Sequence, residues 1–415
     1  MNKFGIQYLD DKSLRKFSGK KHIFHDSTED HRDIRELLRQ FQIGYTERDV
    51  EKAETFMEEL FIIGEETCAL GTSTEELFLG SEEVKTLIRD DWEYWGDFNM
   101  DWERAHISVK DEVAWFATTA SVKHTFEDTP ERYDSYVNFI KNKAEETGLT
   151  SKEKIAFINW VLALTYHQRL DEKREYLWPV CLSGVLLKQE NKWKFTHLQF
   201  SIPKANFPDQ RFESSKEYVE SYNKHNAMAC KYKNNQVNME IKSLLKSIET
   251  ELVGQENISK ELISKYFAID NISYVMGPDN QWYYGVDQIK EFFEKSRASS
   301  LSMDLEYAIA TKSGEMAWVT VSGTLKQELT EDELAEGALV ELDNLFKSNL
   351  SSKEKLFVAH RSVSCALKEG AIGTNYTCPI RLTALVSNCG DKPVFNYIHF
   401  SFPFYWIFEG KIDSI

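Results

Sequence analysis

The sequence lacks several features that assign proteins of this size to common classes. None of its apolar runs approaches the length of a membrane span, and its first residues contain no apolar signal core. It also contains no Cys-x-x-Cys pair. Because disulfides form mainly in oxidising compartments, we expect a cytoplasmic protein with reduced thiols. The six cysteines are Cys68, Cys181, Cys230, Cys365, Cys378 and Cys389.

An excess of positive charge is also missing. The 50 Lys and Arg residues stand against 67 Asp and Glu residues, which gives a formal net charge of −17. Nucleic acids and anionic membranes are bound by cationic faces, so neither partner is expected. Acidic pairs such as Asp90-Asp91 are predicted to be solvated surface. With no phosphate-binding Gly-rich loop, Gly-x-Ser-x-Gly elbow or His-Glu-x-x-His pair, no cofactor and no metal site are predicted.

The most informative feature present is an internal duplication. Short runs of the first half return in the second half, in the same order and 200 to 205 residues later. Four matches in constant register indicate one domain of roughly 180 residues that occurs twice. The matching pairs are 149–154 with 350–355, 195–203 with 395–403, 114–115 with 317–318, and 78–80 with 283–285.

The duplication divides the chain into four segments. We predict a polar leader at 1–27, repeat 1 at 28–212, a polar Asn/Lys-rich linker at 213–236 and repeat 2 at 237–415. In each repeat, helical apolar spacing comes first and is followed by a meander of strand-like segments.

Capping signals place a two-helix insertion between the strands of each repeat, at about 127–170 and 328–372. This order is typical of an α+β fold. We expect each repeat to have a curved, mostly antiparallel sheet that wraps about three helices.

The last strand of each repeat carries a family signature. In repeat 1 the strand at 193–201 reads WKFTHLQFS, and in repeat 2 the strand at 393–401 reads PVFNYIHFS. With a glycine before the third helix and an Ala-Trp strand, this pattern resembles the SnoaL-like group of the nuclear transport factor two superfamily. The group's usual His-x-His-x-Ser is altered, because Gln199 replaces the second His in repeat 1 and Tyr397 the first in repeat 2.

The resemblance implies two tandem domains with the cystatin-like cone fold. Superfamily members include ketosteroid isomerases, polyketide cyclases, dehydratases, kinase association domains and small-ligand binders, so the likeness leaves function open. In kinase association domains the position before the final Ser can face the cavity, which would turn Phe200 and Phe400 inward. Alternation then turns the neighbouring polar row outward, where two sheets could pack back to back as an intrachain pseudo-dimer. The predicted interface residues are Trp115, His197, Gln199, Trp318, Tyr397 and His399.

The inward rows of the strands are small or apolar, so any cavity they line should be apolar. Aromatic walls with few polar groups are typical of small-molecule sites, although aromatics at such spacing also form ordinary cores. The predicted ligand-binding residues are Trp92, Phe116, Thr118, Phe200, Tyr283, Val321 and Phe400.

Two functions stay open. Because neither inward row carries the Asp or Glu that a cone isomerase needs, we expect binding of a small apolar or amphipathic ligand, or an assembly role, without catalysis. The alternative is an isomerase, cyclase or dehydratase that uses general acid–base chemistry in one cavity. Its catalytic candidate is His124, whose counterpart in repeat 2 is Leu325.

Overall fold

A computed structural model describes most of both repeats, and the predicted leader lies outside the described residues. The described ranges are 28–74, 76–127, 130–167, 173–202, 216–231, 237–269, 273–278, 281–294, 298–349, 351–388 and 392–403.

Repeat 1 contains five α-helices and seven strands among its described residues. In chain order they are α1 (Glu29–Glu47), α2 (Ala53–Leu60), β1 (Cys68–Leu70), β2 (Leu77–Leu79), α3 (Ser81–Tyr94), β3 (Asp97–Met100), β4 (His106–Lys110), β5 (Val113–Glu127), α4 (Pro130–Glu145), α5 (Ser151–His167), β6 (Lys173–Gln189) and β7 (Lys192–Ser201).

Repeat 2 follows the same order after a helix in the linker, α6 (Lys216–Lys231). Its elements are α7 (Met239–Ser247), which continues as a π-helical turn (Ile248–Leu252), α8 (Lys260–Tyr266), β8 (Tyr274–Met276), β9 (Trp282–Tyr284), α9 (Gly285–Glu294), β10 (Ala298–Met303), β11 (Ile309–Ser313), β12 (Met316–Glu328), α10 (Glu331–Phe346), α11 (Ser352–Ile372), β13 (Asn375–Ser387) and β14 (Val394–Ser401).

The two sheets have the same topology. The first has the order β2-β1-β7-β6-β5-β3 with β4 also paired to β5, and the second β9-β8-β14-β13-β12-β10 with β11 also paired to β12. The pairs β1–β7 and β8–β14 are parallel, and the other pairs are antiparallel. The predicted α+β fold, with two repeats of one architecture and a helical insertion in each, is confirmed.

Local sequence signals account for these elements. Thr28 caps α1 by accepting a hydrogen bond from the backbone N–H of His31, and the apolar stripe of α1 faces the sheet. The β6–β7 hairpin turns at Glu190 and Asn191, whose φ values of 50° and 63° suit a two-residue turn. That turn sets the register next to the hairpin, and a bulge between Val185 and Leu186 shifts it by one residue, which places Phe200 opposite Leu182.

Three large apolar clusters and a smaller fourth one lie among the described residues. Each sheet packs its inner face against its own helices, which gives one core per repeat. The third cluster joins the outer faces of the two sheets and contains residues of both repeats. We call this third region, with its polar neighbours, the inter-repeat contact. Its apolar members are Val113, Trp115, Ala117, Cys181, Val185, Tyr274, Met276, Trp282, Tyr284, Met316, Trp318, Leu385 and Tyr397.

Residues Trp102–Arg104 form a 3-10 turn, and β4 starts at His106. One local feature differs from the sequence expectations. The polar linker contains α6, where the buried Ala229 packs with Cys68 of repeat 1 and Ile309 of repeat 2. A short apolar contact on an otherwise polar helix is a weak sequence signal, so composition alone suggested an exposed connection.

Candidate functional site

The inter-repeat contact has a polar centre built around two histidines. His399 of repeat 2 lies between two serines of repeat 1, with Nδ1 2.8 Å from Ser183 Oγ and Nε2 2.9 Å from Ser201 Oγ. Nε2 of His197 lies 3.3 Å from Thr383 Oγ1 in the opposite sheet. These contacts satisfy imidazole groups that have no access to water.

Both histidines are held in the neutral form. Burial lowers the pKa of His197 to about 3, and the nearby positive charge of Arg381 adds to the effect. Burial likewise lowers the pKa of His399 to about 3, with smaller contributions from His197 and Arg381. A neutral imidazole that donates from one nitrogen and accepts at the other suits the hydrogen bonds of His399.

The other predicted interface residues lie in the same region. Gln199 donates a hydrogen bond from Nε2 to Ser401 Oγ at 3.0 Å, across the two sheets. Trp115, Trp318 and Tyr397 are buried in the apolar cluster of the contact. The outward rows of both sheets therefore face each other.

The predicted ligand-binding residues of repeat 1 lie mostly inside its packed core. Trp92 packs edge-on against Phe56 with ring centroids 5.0 Å apart, and Phe116 packs against Phe195 at 5.8 Å. Thr118 is buried and donates a hydrogen bond to the carbonyl of Asp101 at 2.8 Å. These side chains fill the space between helices and sheet.

The corresponding residues of repeat 2 are packed in the same manner. The Phe292 ring lies 5.0 Å from Tyr283 and 5.4 Å from Phe400, centroid to centroid. Val321 is buried in the same core. The interior of repeat 2 is thus occupied by its own aromatic side chains at these positions.

Phe200 differs from the other six residues because it lines an open cleft of repeat 1, about 270 Å³ in volume. The cleft lies between the C-terminal half of α3, the loop joining β1 to β2 and the end of β7. We call it the α3 cleft. Its lining residues are Gly71, Thr72, Glu76, Phe78, Leu87, Asp90, Asp91, Tyr94, Trp95 and Phe200.

Asp91 is the distinctive polar group of the α3 cleft. Its Oδ2 accepts a hydrogen bond from the Tyr45 hydroxyl at 2.8 Å. Burial raises the pKa of the Asp91 carboxyl well above its usual range; the Tyr45 hydrogen bond opposes this shift, whereas the charges of Glu76 and Asp90 add to it. Burial, together with Asp91, raises the pKa of Tyr45 as well, so this hydroxyl remains a donor.

Arg48 fixes the end of α3 on which Asp91 stands. It has the left-handed backbone conformation that terminates α1, with φ of 52°. Its guanidinium donates to the carbonyl of Trp92 at 2.8 Å, to that of Asp91 at 3.2 Å, and to that of Trp95. The Asp91 carbonyl also accepts the backbone N–H of Trp95 at 3.0 Å. Since the carbonyls at a helix end lack a full set of intrahelical partners, Arg48 both caps α3 and orients its last turn.

The sequence expectation for the Asp90-Asp91 pair was half wrong. Asp90 is exposed, but Asp91 is partly buried and lines the cleft. A signal for this was present, because Asp91 follows Leu87 by four residues and Ile88 by three and so shares their buried stripe on α3. The position of a carboxylate on the apolar stripe of a helix indicates a binding site better than the charge of an acidic pair does.

Repeat 2 lacks this constellation. When the buried positions of α1 are aligned with those of α7 and its π-helical turn, Leu252 corresponds to Tyr45. Gln281, which closes the equivalent loop before β9, corresponds to Glu76. The duplicated positions have therefore diverged, and the Tyr–Asp pair belongs to repeat 1.

The catalytic candidate His124 lies on β5 opposite Tyr176, and its side chain lies outside what the structure describes. Among the described residues, no three His, Cys, Asp or Glu side chains are grouped as metal ligands. Within those same ranges, no helix is both long enough and apolar enough to span a membrane.

Comparison with known proteins adds a family assignment for part of repeat 1. The family model of the SnoaL-like domain matches residues 34–139, which include Tyr45 and Asp91. Repeat 1 therefore contains a SnoaL-like domain. No curated protein matches the chain.

Several solved structures are similar to a part of the chain. A nuclear transport factor 2-like superfamily protein from Salmonella enterica serovar Typhimurium LT2 has 12% identity and a TM-score of 0.28, with 44% of this chain and 96% of that chain covered. A proposed dehydratase of the NTF2-like family from Streptomyces avermitilis has 13% identity and a TM-score of 0.27, covering 42% and 97%. A protein with a cystatin-like fold from Caulobacter vibrioides has 10% identity and a TM-score of 0.27, covering 46% and 99%. No function follows from likenesses of this degree.

Proposed function

We propose that repeat 1 binds a small amphipathic molecule in the α3 cleft. The observation that carries this proposal is a hydrogen-bonded carboxyl, Asp91, set among the aromatic side chains of Phe78, Trp95 and Phe200. Apolar walls with a few placed polar groups suit a ligand that has an apolar body and one polar substituent.

The charges around the cleft narrow the class of ligand. Glu76, Asp90 and Asp91 all line it, and no Lys or Arg is among its lining residues. A carboxylate ligand would meet like charges on Glu76 and Asp90, whereas a hydroxyl or an amine could donate a hydrogen bond to Asp91. The proposed ligand therefore carries a neutral or positively charged polar group.

For repeat 2 we propose a supporting role as a second SnoaL-like domain. The identical strand order of the two sheets and the matched insertions support this assignment. Its outer sheet face contacts that of repeat 1, which supports an intrachain pseudo-dimer. Repeat 2 would thus act as a scaffold for the ligand-binding repeat.

Replacing Asp91 with Asn should weaken binding of naphthol, a neutral aromatic probe with one hydroxyl, about tenfold at a pH above the raised pKa of Asp91, where this carboxyl is ionised. The reason is the loss of a charge-assisted hydrogen bond, which contributes about 1.5 kcal/mol. Isothermal titration calorimetry on the full chain measures the affinity. Naphthalene, which lacks the hydroxyl, should bind wild type and variant equally.

The matched control is Glu82→Gln, the same chemical change on an exposed position of the same helix. It should leave naphthol affinity unchanged. Equal affinity of the Asp91→Asn variant and wild type for naphthol would remove Asp91 from the site and contradict the proposal.

One observation favours acid–base catalysis as a second candidate function. The raised pKa of Asp91 brings a carboxyl toward the range in which it can exchange protons near neutral pH, and Tyr45 is a hydroxyl donor beside it. This alternative uses Asp91 in place of His124. It requires a substrate with an acidic proton beside a carbonyl group.

A proton-exchange experiment tests the catalytic alternative. In D2O, wild-type protein should accelerate loss of the α-proton NMR signal of tetralone, a two-ring aromatic ketone, and Asp91→Asn should lower that acceleration at least a hundredfold. Glu82→Gln should exchange at the wild-type rate. Exchange no faster with wild type than in buffer would leave the cleft as a binding site only.

A further inference from the structure

One residue of repeat 2 reaches across the inter-repeat contact to the rim of the α3 cleft. Arg381 lies on the outward row of β13, and only 1% of its surface is exposed. Its position in the sheet is opposite Ser401, just as Cys181 is opposite Ser201 in repeat 1. The duplicated position therefore carries a long cation in one repeat and a small thiol in the other.

The guanidinium of Arg381 binds the backbone of the loop that joins β1 to β2. Nη1 donates to the carbonyl of Gly71 at 2.8 Å, and Nη2 donates to the carbonyls of Ser73 at 3.0 Å and Thr74 at 3.4 Å. Three carbonyls of one short loop are thus held by one planar group. A planar fork with fixed N–H directions fits such a set, and a lysine ammonium does not.

The same loop is closed on its other side by Glu76. The backbone N–H of Gly71 donates to the carbonyl of Glu76 at 2.9 Å, and that of Ser73 donates to the Glu76 carboxylate at 2.8 Å. A Cβ at Gly71 would lie 2.2 Å from Glu76 Oε2, so glycine is needed for the carboxylate to fold back. Gly71, Thr72 and Glu76 of this loop line the α3 cleft.

We propose that Arg381 of repeat 2 is a positioning residue for the α3 cleft of repeat 1, because it fixes the β1–β2 loop and with it Glu76. The functional part of this inference, that Arg381 supports ligand binding, rests on the proposed ligand site. The structural part, that Arg381 fixes the β1–β2 loop, does not. It gives repeat 2 a specific role: one wall of the cleft keeps its shape only while the two repeats are paired through Arg381.

Hydrogen exchange of the ligand-free protein tests the structural part. In Arg381→Met, amide exchange at 71–76 should accelerate at least tenfold, while exchange in β5, which also lies in the contact, changes little. Arg381→Lys should behave like Arg381→Met in this loop, since one ammonium cannot reach three carbonyls. Because the lysine variant retains the buried charge, it decides the question if Arg381→Met does not fold.

Thr383→Val is the matched control. It changes the same outward row of β13 and removes the contact with His197, but it does not touch the loop. Its loop exchange should equal that of wild type. Unchanged loop exchange in both Arg381 variants would overturn the proposal, and so would an acceleration spread evenly over both repeats.

Naphthol titrations at several pH values test the functional part. The hydroxyl of the probe binds ionised Asp91 more strongly, so affinity should rise as pH passes through the pKa of this carboxyl. Since Glu76 contributes to raising that pKa, a loosened loop should shift the midpoint to lower pH. At pH values above both midpoints, where Asp91 is ionised in either protein, the loosened cleft wall should weaken binding about fivefold. If Asp91→Asn binds naphthol like wild type, the ligand site fails while the exchange result still stands.

Discussion

Acidification from pH 7 to pH 5 should lower the free energy of unfolding by about 4 kcal/mol through two buried histidines, about 2 kcal/mol for each. His197 and His399 both have a pKa of about 3 in the folded protein, against an ordinary value of 6.5. Between these values the unfolded chain binds protons that the folded chain does not. Stability from these residues is therefore complete above pH 6.5 and is lost as pH falls toward 3.

Asp91 acts in the opposite direction. Its raised pKa means that the folded protein binds a proton that the unfolded chain has released, so its contribution favours the folded state at low pH and is lost as pH rises. The net pH dependence is consequently smaller than the histidine contribution. The contribution of each histidine to the pH dependence of stability is therefore isolated by comparing variants with the wild type.

Urea unfolding followed by tryptophan fluorescence at pH 5, 6 and 7 measures the effect. His399→Gln keeps a donor and an acceptor for Ser183 and Ser201 and should remove about half of the histidine contribution to the pH dependence. Thr383→Val should lower stability by a similar amount at every pH, because it weakens the contact without removing a titrating group. An unchanged slope in His399→Gln would show that this imidazole is protonated in the folded protein.

Much of the architecture could be predicted from sequence because it depends on local patterns. Helical apolar spacing predicted a helix at the start of repeat 1, where the structure has α1. The resemblance to kinase association domains implied that Phe200 faces inward, and alternation along β7 then turned His197 outward. Because the chain is duplicated, the architecture predicted for repeat 1 also predicted that of repeat 2. Such patterns report which face of an element is buried.

The alternation of side chains along a strand shows which residues share a face of the sheet, but not which residues of other elements pack against that face. For this reason the sequence did not predict the α3 cleft. The sequence identifies Arg381 as an outward residue, but its contact with the Gly71 carbonyl depends on how the two sheets are placed. Asp91 was assigned to the surface by its charge, although its helical position is that of a buried residue. Arg381 has Cys181 as its counterpart in repeat 1. Tyr45, the hydrogen-bond partner of Asp91, has Leu252 as its counterpart in repeat 2. Divergence between the repeats was therefore the usable signal.

Replacing Trp115 with Ala should destabilise the protein by about 3–5 kcal/mol and should do so for both repeats together. The Trp115 side chain is fully buried in the inter-repeat contact, whose apolar cluster also contains Trp318 and Tyr397 of repeat 2. Two sheets that share one cluster bury apolar area that neither repeat can bury alone. Wild-type protein should therefore unfold in urea in one transition, as seen by fluorescence and circular dichroism alike.

Phe116→Ala is the matched comparison, because the neighbouring side chain is equally buried but faces the core of repeat 1. Both variants should lose several kcal/mol. Only Trp115→Ala should accelerate amide exchange in β12 of repeat 2, since it opens the contact itself. Two separate unfolding transitions in the wild type, or β12 exchange unaffected by Trp115→Ala, would mean that the repeats are stable independently. In that case the dependence of the α3 cleft on Arg381 would be a local contact, without energetic coupling between the repeats.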